Sequence, residues 1–195
     1  MPDQRKDKAY ILGLSIGTFW LIVASTGFSL PLLLISGVWP RAEWMILFAA
    51  VVLIATALCL LVQAAKLPKA ARTEARSQVG RKFAGIVIAE ILLIVLVNGV
   101  AFYFGLISWL IPLDLLIVGL HFFPLARWFG VRRYHVLGAM FCLVSILTLI
   151  LVPSGSAAGP IIARYLISSL GCAASAWLIS IGNILELQRL LSAAG

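Results

Sequence analysis

The chain has 195 residues, of which 63% are hydrophobic and 11% charged, and its formal net charge is +8. A soluble domain of this length carries about 25% charged residues, and the few charges here are bunched between long apolar runs. A soluble catalytic domain is excluded, and so is a nucleic-acid partner, because surplus Lys and Arg are what the cytoplasmic loops of membrane proteins carry.

The hydrocarbon core of a bilayer takes about 20 apolar residues per helix, and runs of that length recur along the chain. Arg5, Lys6 and Lys8 precede an apolar stretch with no A-x-A cleavage site, which reads as an uncleaved first span. The 32 uncharged residues between Lys8 and Arg41 would make a helix of about 48 Å. Gly27, Pro31 and Gly37 therefore predict one tilted or broken span over about 10–37, or a span plus a re-entrant segment. Within it, Ser15, Thr18, Ser25 and Ser29 share one helix face. That stripe either lines a polar cavity or bonds to its own backbone. Gly13 and Gly17 lie opposite as a G-x-x-x-G suited to close helix packing. The same residues spell G-x-S-x-G, but a hydrolase elbow needs a strand–turn–helix setting that a transmembrane helix does not offer.

A second span is predicted over about 45–65, followed by a basic cytoplasmic loop at 66–82. Lys66, Lys69, Arg72, Arg76, Arg81 and Lys82 oppose the lone Glu74 there, so anionic lipid headgroups are the expected contact. The next 44 residues, Phe83 to Ala126, hold only two charges, Glu90 and Asp114. Two spans, about 83–104 and 106–126, fit with a tight turn near Phe104-Gly105-Leu106. A fifth span is expected over 134–152, a flexible Ser/Gly/Pro loop over 153–160, and a sixth span over 161–187. In the sixth, Gly171 and Ser175 belong to a run of small residues suited to close packing. Glu186 is expected to pair with Arg189 at i+3, and Arg164 to snorkel to the outer surface beside Tyr165.

These elements predict an all-α, polytopic transmembrane helix bundle, a single domain of six spans with both termini inside. Thirteen of the fifteen basic residues then fall on the inner side, and only Arg41 and Arg164 on the outer. Trp39, Trp44, Tyr103 and Trp109 would form an outer aromatic belt, and Tyr10, Trp128 and Tyr134 an inner one.

An ionisable group inside a span is costly when it faces lipid, so it points into the bundle and is a functional candidate. Glu90, Asp114 and His121 are the three here, with Asn98 as a polar companion. In an antiparallel hairpin centred near Gly105/Leu106, residues at equal depth have numbers summing to about 211. Glu90 should therefore meet His121, and Asn98 should meet Asp114. A carboxylate–imidazole pair can exchange a proton near neutral pH, because free imidazole titrates near pH 6.5. The competing reading is interhelical glue that fixes helix register. No Walker A, H-E-x-x-H, dinucleotide or haem-attachment pattern is present, and no metal or cofactor is implied. Cys59, Cys142 and Cys172 read as small apolar helix residues.

Gly119-Leu120-His121-Phe122-Phe123-Pro124-Leu125-Ala126, followed by a short basic turn and another apolar span, resembles a segment of small bacterial multi-pass inner-membrane proteins, uncharacterised as to activity, that carry a G-x-H-F-x-P run near the inner end of a central span. The resemblance covers about Glu90 to Val152. It implies a cell-membrane location and singles out His121, and it brings no activity with it. The leading expectation is a small proton- or cation-linked transporter-like protein with a site at Glu90, Asn98, Asp114 and His121. The alternatives are a structural or regulatory membrane subunit, and a membrane enzyme acting on a lipid or lipophilic substrate. The expected partners are the bilayer, its anionic headgroups, and a second copy or another membrane protein.

Overall fold

Helix is the default for a chain in hydrocarbon, because each backbone N–H and C=O must find its partner within the segment. The structure, a computed structural model, describes residues 14–15, 17–27, 29, 42–66, 75–158 and 161–194. Its helices are α1 (Gly17–Gly27), α2 (Ala42–Lys66), α3 (Ala75–Tyr103), α4 (Leu110–Phe129), α5 (Arg132–Leu151) and α6 (Ala163–Ala194). The chain is an all-α bundle. Among the described residues four stretches are long and apolar enough to cross a membrane: Gly85–Tyr103, Ile107–Trp128, Arg132–Leu151 and Ala163–Ser192. Two shorter apolar stretches, Gly17–Gly27 and Leu47–Leu60, stand where the first two spans are expected. Whether 9–38 holds one broken span or two pieces lies outside the described residues.

The turns follow the residues that permit them. The α3–α4 connection reverses at Gly105, whose φ of +69° an L side chain rarely adopts, and continues through a 3-10 turn at Ile107–Trp109. Gly130, at φ +67°, ends α4 in the left-handed conformation common at helix C-termini, and α5 starts two residues later. Between α5 and α6 the chain forms a two-rung antiparallel ladder, β1 (Ala157–Ala158) with β2 (Ile161–Ile162). The expected flexible loop is therefore partly ordered, and α6 begins at Ala163, within the expected start of the sixth span.

One expected loop is shorter than its charge suggests. α2 runs through Lys66 and α3 begins at Ala75, so Arg76, Arg81 and Lys82 sit on helical backbone rather than in a loop. Ala, Arg, Gln and Lys are good helix formers, and Gly80 alone opposes them over Ala75–Lys82. Lys69 and Arg72 lie outside the described residues, and Lys66, Arg76, Arg81 and Lys82 are placed by backbone alone.

The core joins α1, α2, α4, α5 and α6 through residues such as Ile22, Leu60, Leu115, Leu137, Phe141 and Leu187; among the described residues α3 adds none to this cluster, its one buried hydrophobic side chain being Ala101. The tightest crossing is α4 on α5. A Cβ added at Gly138 would stand 2.7 Å from the Gly119 carbonyl oxygen, and one at Gly119 would stand 3.0 Å from the Cys142 backbone nitrogen. Two backbones this close admit only glycine at the crossing, which is how small residues drive helix association in lipid. Of the four packing positions expected from sequence, Gly13 lies outside the described residues. Gly17 packs under the Tyr134 ring, where a Cβ would collide with its hydroxyl. At Gly171 a Cβ would stand 2.6 Å from Val144 Cγ1, and Ser175 is buried with its hydroxyl bonded to the Gly171 carbonyl oxygen at 2.8 Å. Tyr134 is thus a buried packing residue, not the inner-belt anchor its position suggests, because the glycine beneath leaves room for its ring.

Candidate functional site

α3 presents its few polar side chains to α4 and its large aliphatic ones outward. Ile88, Ile91, Leu92, Val95 and Leu96 are all exposed on it, as suits a helix bathed in lipid. Against α4, Glu90 Oε2 stands 2.8 Å from His121 Nδ1, with only 16% and 10% of the two side chains exposed. The contact is an ion-pair distance, and Nδ1 makes no hydrogen bond of regular geometry among the described residues. Two turns closer to the Gly105 reversal, Asn98 Nδ2 donates to Asp114 Oδ2 at 3.2 Å. The hairpin therefore brings the four residues together as two pairs at matched depth, as its centre near Gly105/Leu106 requires. Edge-on contact with Phe122 helps hold the His121 ring, and Phe122 in turn packs on Phe141 and Tyr134 of α5. Pro124 lies inside α4 one turn beyond His121. It lacks the N–H that would bond the Leu120 carbonyl, which loosens the helix next to the pair.

Half of the hydroxyl stripe of the first span bonds to its own helix. Ser25 donates to the Ile22 carbonyl at 3.1 Å and Ser29 to the Ser25 carbonyl at 2.7 Å. Ser15 and Thr18 are buried in the bundle. A residue outside the stripe makes the interhelical bond instead: Trp177 Nε1 on α6 donates to Thr26 Oγ1 at 3.2 Å.

Two arginines behave differently from their sequence expectation. Glu186 pairs with Arg133 of α5 at 2.6 Å, a partner its sequence position does not announce, and the same guanidinium nitrogen donates to the Gly182 carbonyl at 2.8 Å and to Asn183 Oδ1 at 3.3 Å. The antiparallel α5–α6 contact offers Glu186 a cation already anchored by two other acceptors. Arg164 does not snorkel. It is 5% exposed, and its Nε and Nη2 donate to the carbonyls of Val152 and Leu149 at 2.7 and 3.1 Å. Its Nη1 reaches Ser108 Oγ at 3.5 Å, and the guanidinium carbon lies 5.3 Å from the Trp109 ring centre. A helix end leaves its last carbonyls without intrahelical donors, and Arg164 fills that vacancy for α5. Beside it the Tyr165 hydroxyl donates to the Ile107 carbonyl, so the start of α6 holds both the α3–α4 turn and the end of α5.

A cavity of about 390 Å³ opens elsewhere, between α2 and α6, lined by Thr56, Cys59, Leu60, Gln188, Leu191 and Ser192. It shares no residue with the polar pairs. Its two hydroxyls donate to backbone carbonyls, Thr56 to that of Val52 and Ser192 to that of Arg189, and Gln188 brings an amide to the lining. Among the described residues no three His, Cys, Asp or Glu side chains converge as a metal site.

Comparison with protein-family models, with curated proteins and with solved structures gave no significant match.

Proposed function

We propose that the chain is a small proton- or cation-linked transporter of a bacterial inner membrane, with both termini inside and a proton-exchanging pair formed by Glu90 and His121. The observation that supports this reading is the 2.8 Å approach of a carboxylate oxygen to an imidazole nitrogen inside an apolar hairpin. One proton can pass between the two groups over that distance, leaving carboxylate and imidazolium or acid and imidazole. Intramembrane carboxylate–histidine relays recur in pumps and transporters because they keep a titratable pair out of lipid. The basic residues between Lys66 and Lys82 would meet anionic headgroups on the inner face. The test is proton flux driven by a pH gradient in proteoliposomes. Glu90→Gln and His121→Ala are each expected to reduce flux to that of protein-free vesicles while the protein stays monodisperse. Wild-type flux in both variants would overturn the proposal.

A second reading has its own observation. Among the described residues α3 packs substantially on α4 and the 3-10 turn alone, so the two polar pairs are the main directional contacts seen to tie it to the bundle. On this reading the pairs are glue in a structural or regulatory subunit, and wild-type protein adds no proton permeability to the vesicles.

A further inference from the structure

Eight buried side-chain polar atoms have no hydrogen-bond partner among the described residues. Four are hydroxyls, on Thr18, Ser145, Ser169 and Ser180, and a helix hydroxyl can always turn to its own i−4 carbonyl. The Asn183 Nδ2 is a donor, and His121 Nδ1 faces Glu90. The remaining two are different in kind. Asn98 Oδ1 and Asp114 Oδ1 are acceptors only, they belong to the two side chains already joined by the Asn98 Nδ2 to Asp114 Oδ2 bond, and neither is reached by solvent. Both are buried acceptors on one hydrogen-bonded pair of side chains, and a buried acceptor is costly unless a positive charge or an acidic hydrogen reaches it.

Among the described residues no neighbour donates to either oxygen. The Tyr165 hydroxyl of α6 donates to the Ile107 carbonyl. The Arg164 guanidinium donates to Val152, Leu149 and Ser108, and none of its bonds reaches Asn98 or Asp114. On α3 Tyr103 is exposed, and Glu90, two turns away, faces His121.

We propose that the Asn98–Asp114 contact is a binding site for one small monovalent cation, a proton or a sodium ion, held between Asp114 Oδ1 and Asn98 Oδ1. As a proton it completes an acid–amide ring: the Asp114 O–H donates to Asn98 Oδ1 while Asn98 Nδ2 continues to donate to Asp114 Oδ2. As sodium it takes both oxygens as ligands, a donor set suited to hard cations. The site shares with the proposed function only the membrane hairpin, and it stands whether or not Glu90 and His121 carry protons.

The test needs no transport. The thermal unfolding midpoint of the purified full chain in detergent is measured as sodium chloride replaces choline chloride at constant ionic strength, and infrared spectra are searched for a carboxylic-acid C=O band. A ligand that binds only the folded state raises its midpoint. A sodium-dependent rise that Asp114→Asn abolishes identifies sodium. A salt-independent midpoint with an acid band that Asp114→Asn removes identifies the proton. Asp114→Asn itself places an N–H where the cation sits, so it is expected to unfold no earlier than wild type, whereas Asp114→Leu is expected to unfold well below it. Should Asp114→Asn fail to fold, Asn98→Ala keeps the acid and removes one oxygen, and it is expected to lose the sodium shift or displace the acid band. The absence of both a sodium effect and an acid band in the wild type would overturn the proposal. So would an Asp114→Asn variant that folds and is as unstable as Asp114→Leu.

Discussion

α3 and α6 are both helices that can cross a bilayer, yet only 6% of the α3 apolar stretch is buried in the protein against 44% of the α6 stretch. The more hydrophobic helix is the less buried one. In water that order would be reversed. In a bilayer, lipid tails solvate Leu and Ile as well as protein does, so burial goes instead to residues that allow close approach or need a polar partner. α6 carries Ser168, Ser169, Cys172, Ser175, Ala176, Ser180 and Asn183 into the interior. α3 spends its polar residues, Glu90 and Asn98, on one neighbour and leaves its aliphatic side chains to the outside.

This comparison can be broken most severely at the glycines. Gly138→Leu should abolish the folded bundle, because the new side chain meets the Gly119 backbone at 2.7 Å and a backbone cannot turn aside. Gly99→Leu on α3 should be tolerated, since nothing lies within 4 Å of its added Cβ. Yield of monodisperse protein by size-exclusion chromatography reads both; equal behaviour of the two variants would contradict the division into protein-facing and lipid-facing helices. A smaller loss is expected at the start of α6. Arg164→Leu removes the donors to two part-buried carbonyls; a fully buried one costs about 1–3 kcal/mol when left unsatisfied, so a smaller loss per carbonyl is expected here. Arg164→Lys should recover only part of that, because one ammonium cannot reproduce the planar fork. Denaturant unfolding in mixed micelles measures the difference, and an unaffected Arg164→Leu would return this residue to the interfacial role its sequence position suggests.

The α3–α4 hairpin was legible because charges are so scarce within Phe83–Ala126 that each must have a partner, and the turn at Gly105 fixes which depths coincide. The burial of Arg164 was not. An arginine beside a tyrosine near a span end satisfies the snorkelling pattern equally well, and nothing local announces the open carbonyls of Leu149 and Val152 on another helix. The Glu186–Arg133 pair was hidden for the same reason, since an i+3 neighbour is visible in sequence while a partner more than fifty positions away is not. The Gly119–Gly138 crossing was hidden because neither glycine sits in a G-x-x-x-G repeat. Helical continuation through Ala75–Lys82 was obscured by charge, which marks the membrane boundary and says little about where a helix ends.

The most direct test of the account is a double-mutant cycle on Glu90→Ala and His121→Ala, read as unfolding free energy in the membrane or in mixed micelles. Side-chain contacts of this kind in membrane helices couple by about 0.6 kcal/mol on average and by up to about 1.7. The double variant should therefore be more stable than the two single losses added together would make it. Strict additivity would mean that the carboxylate and the imidazole do not meet within the membrane.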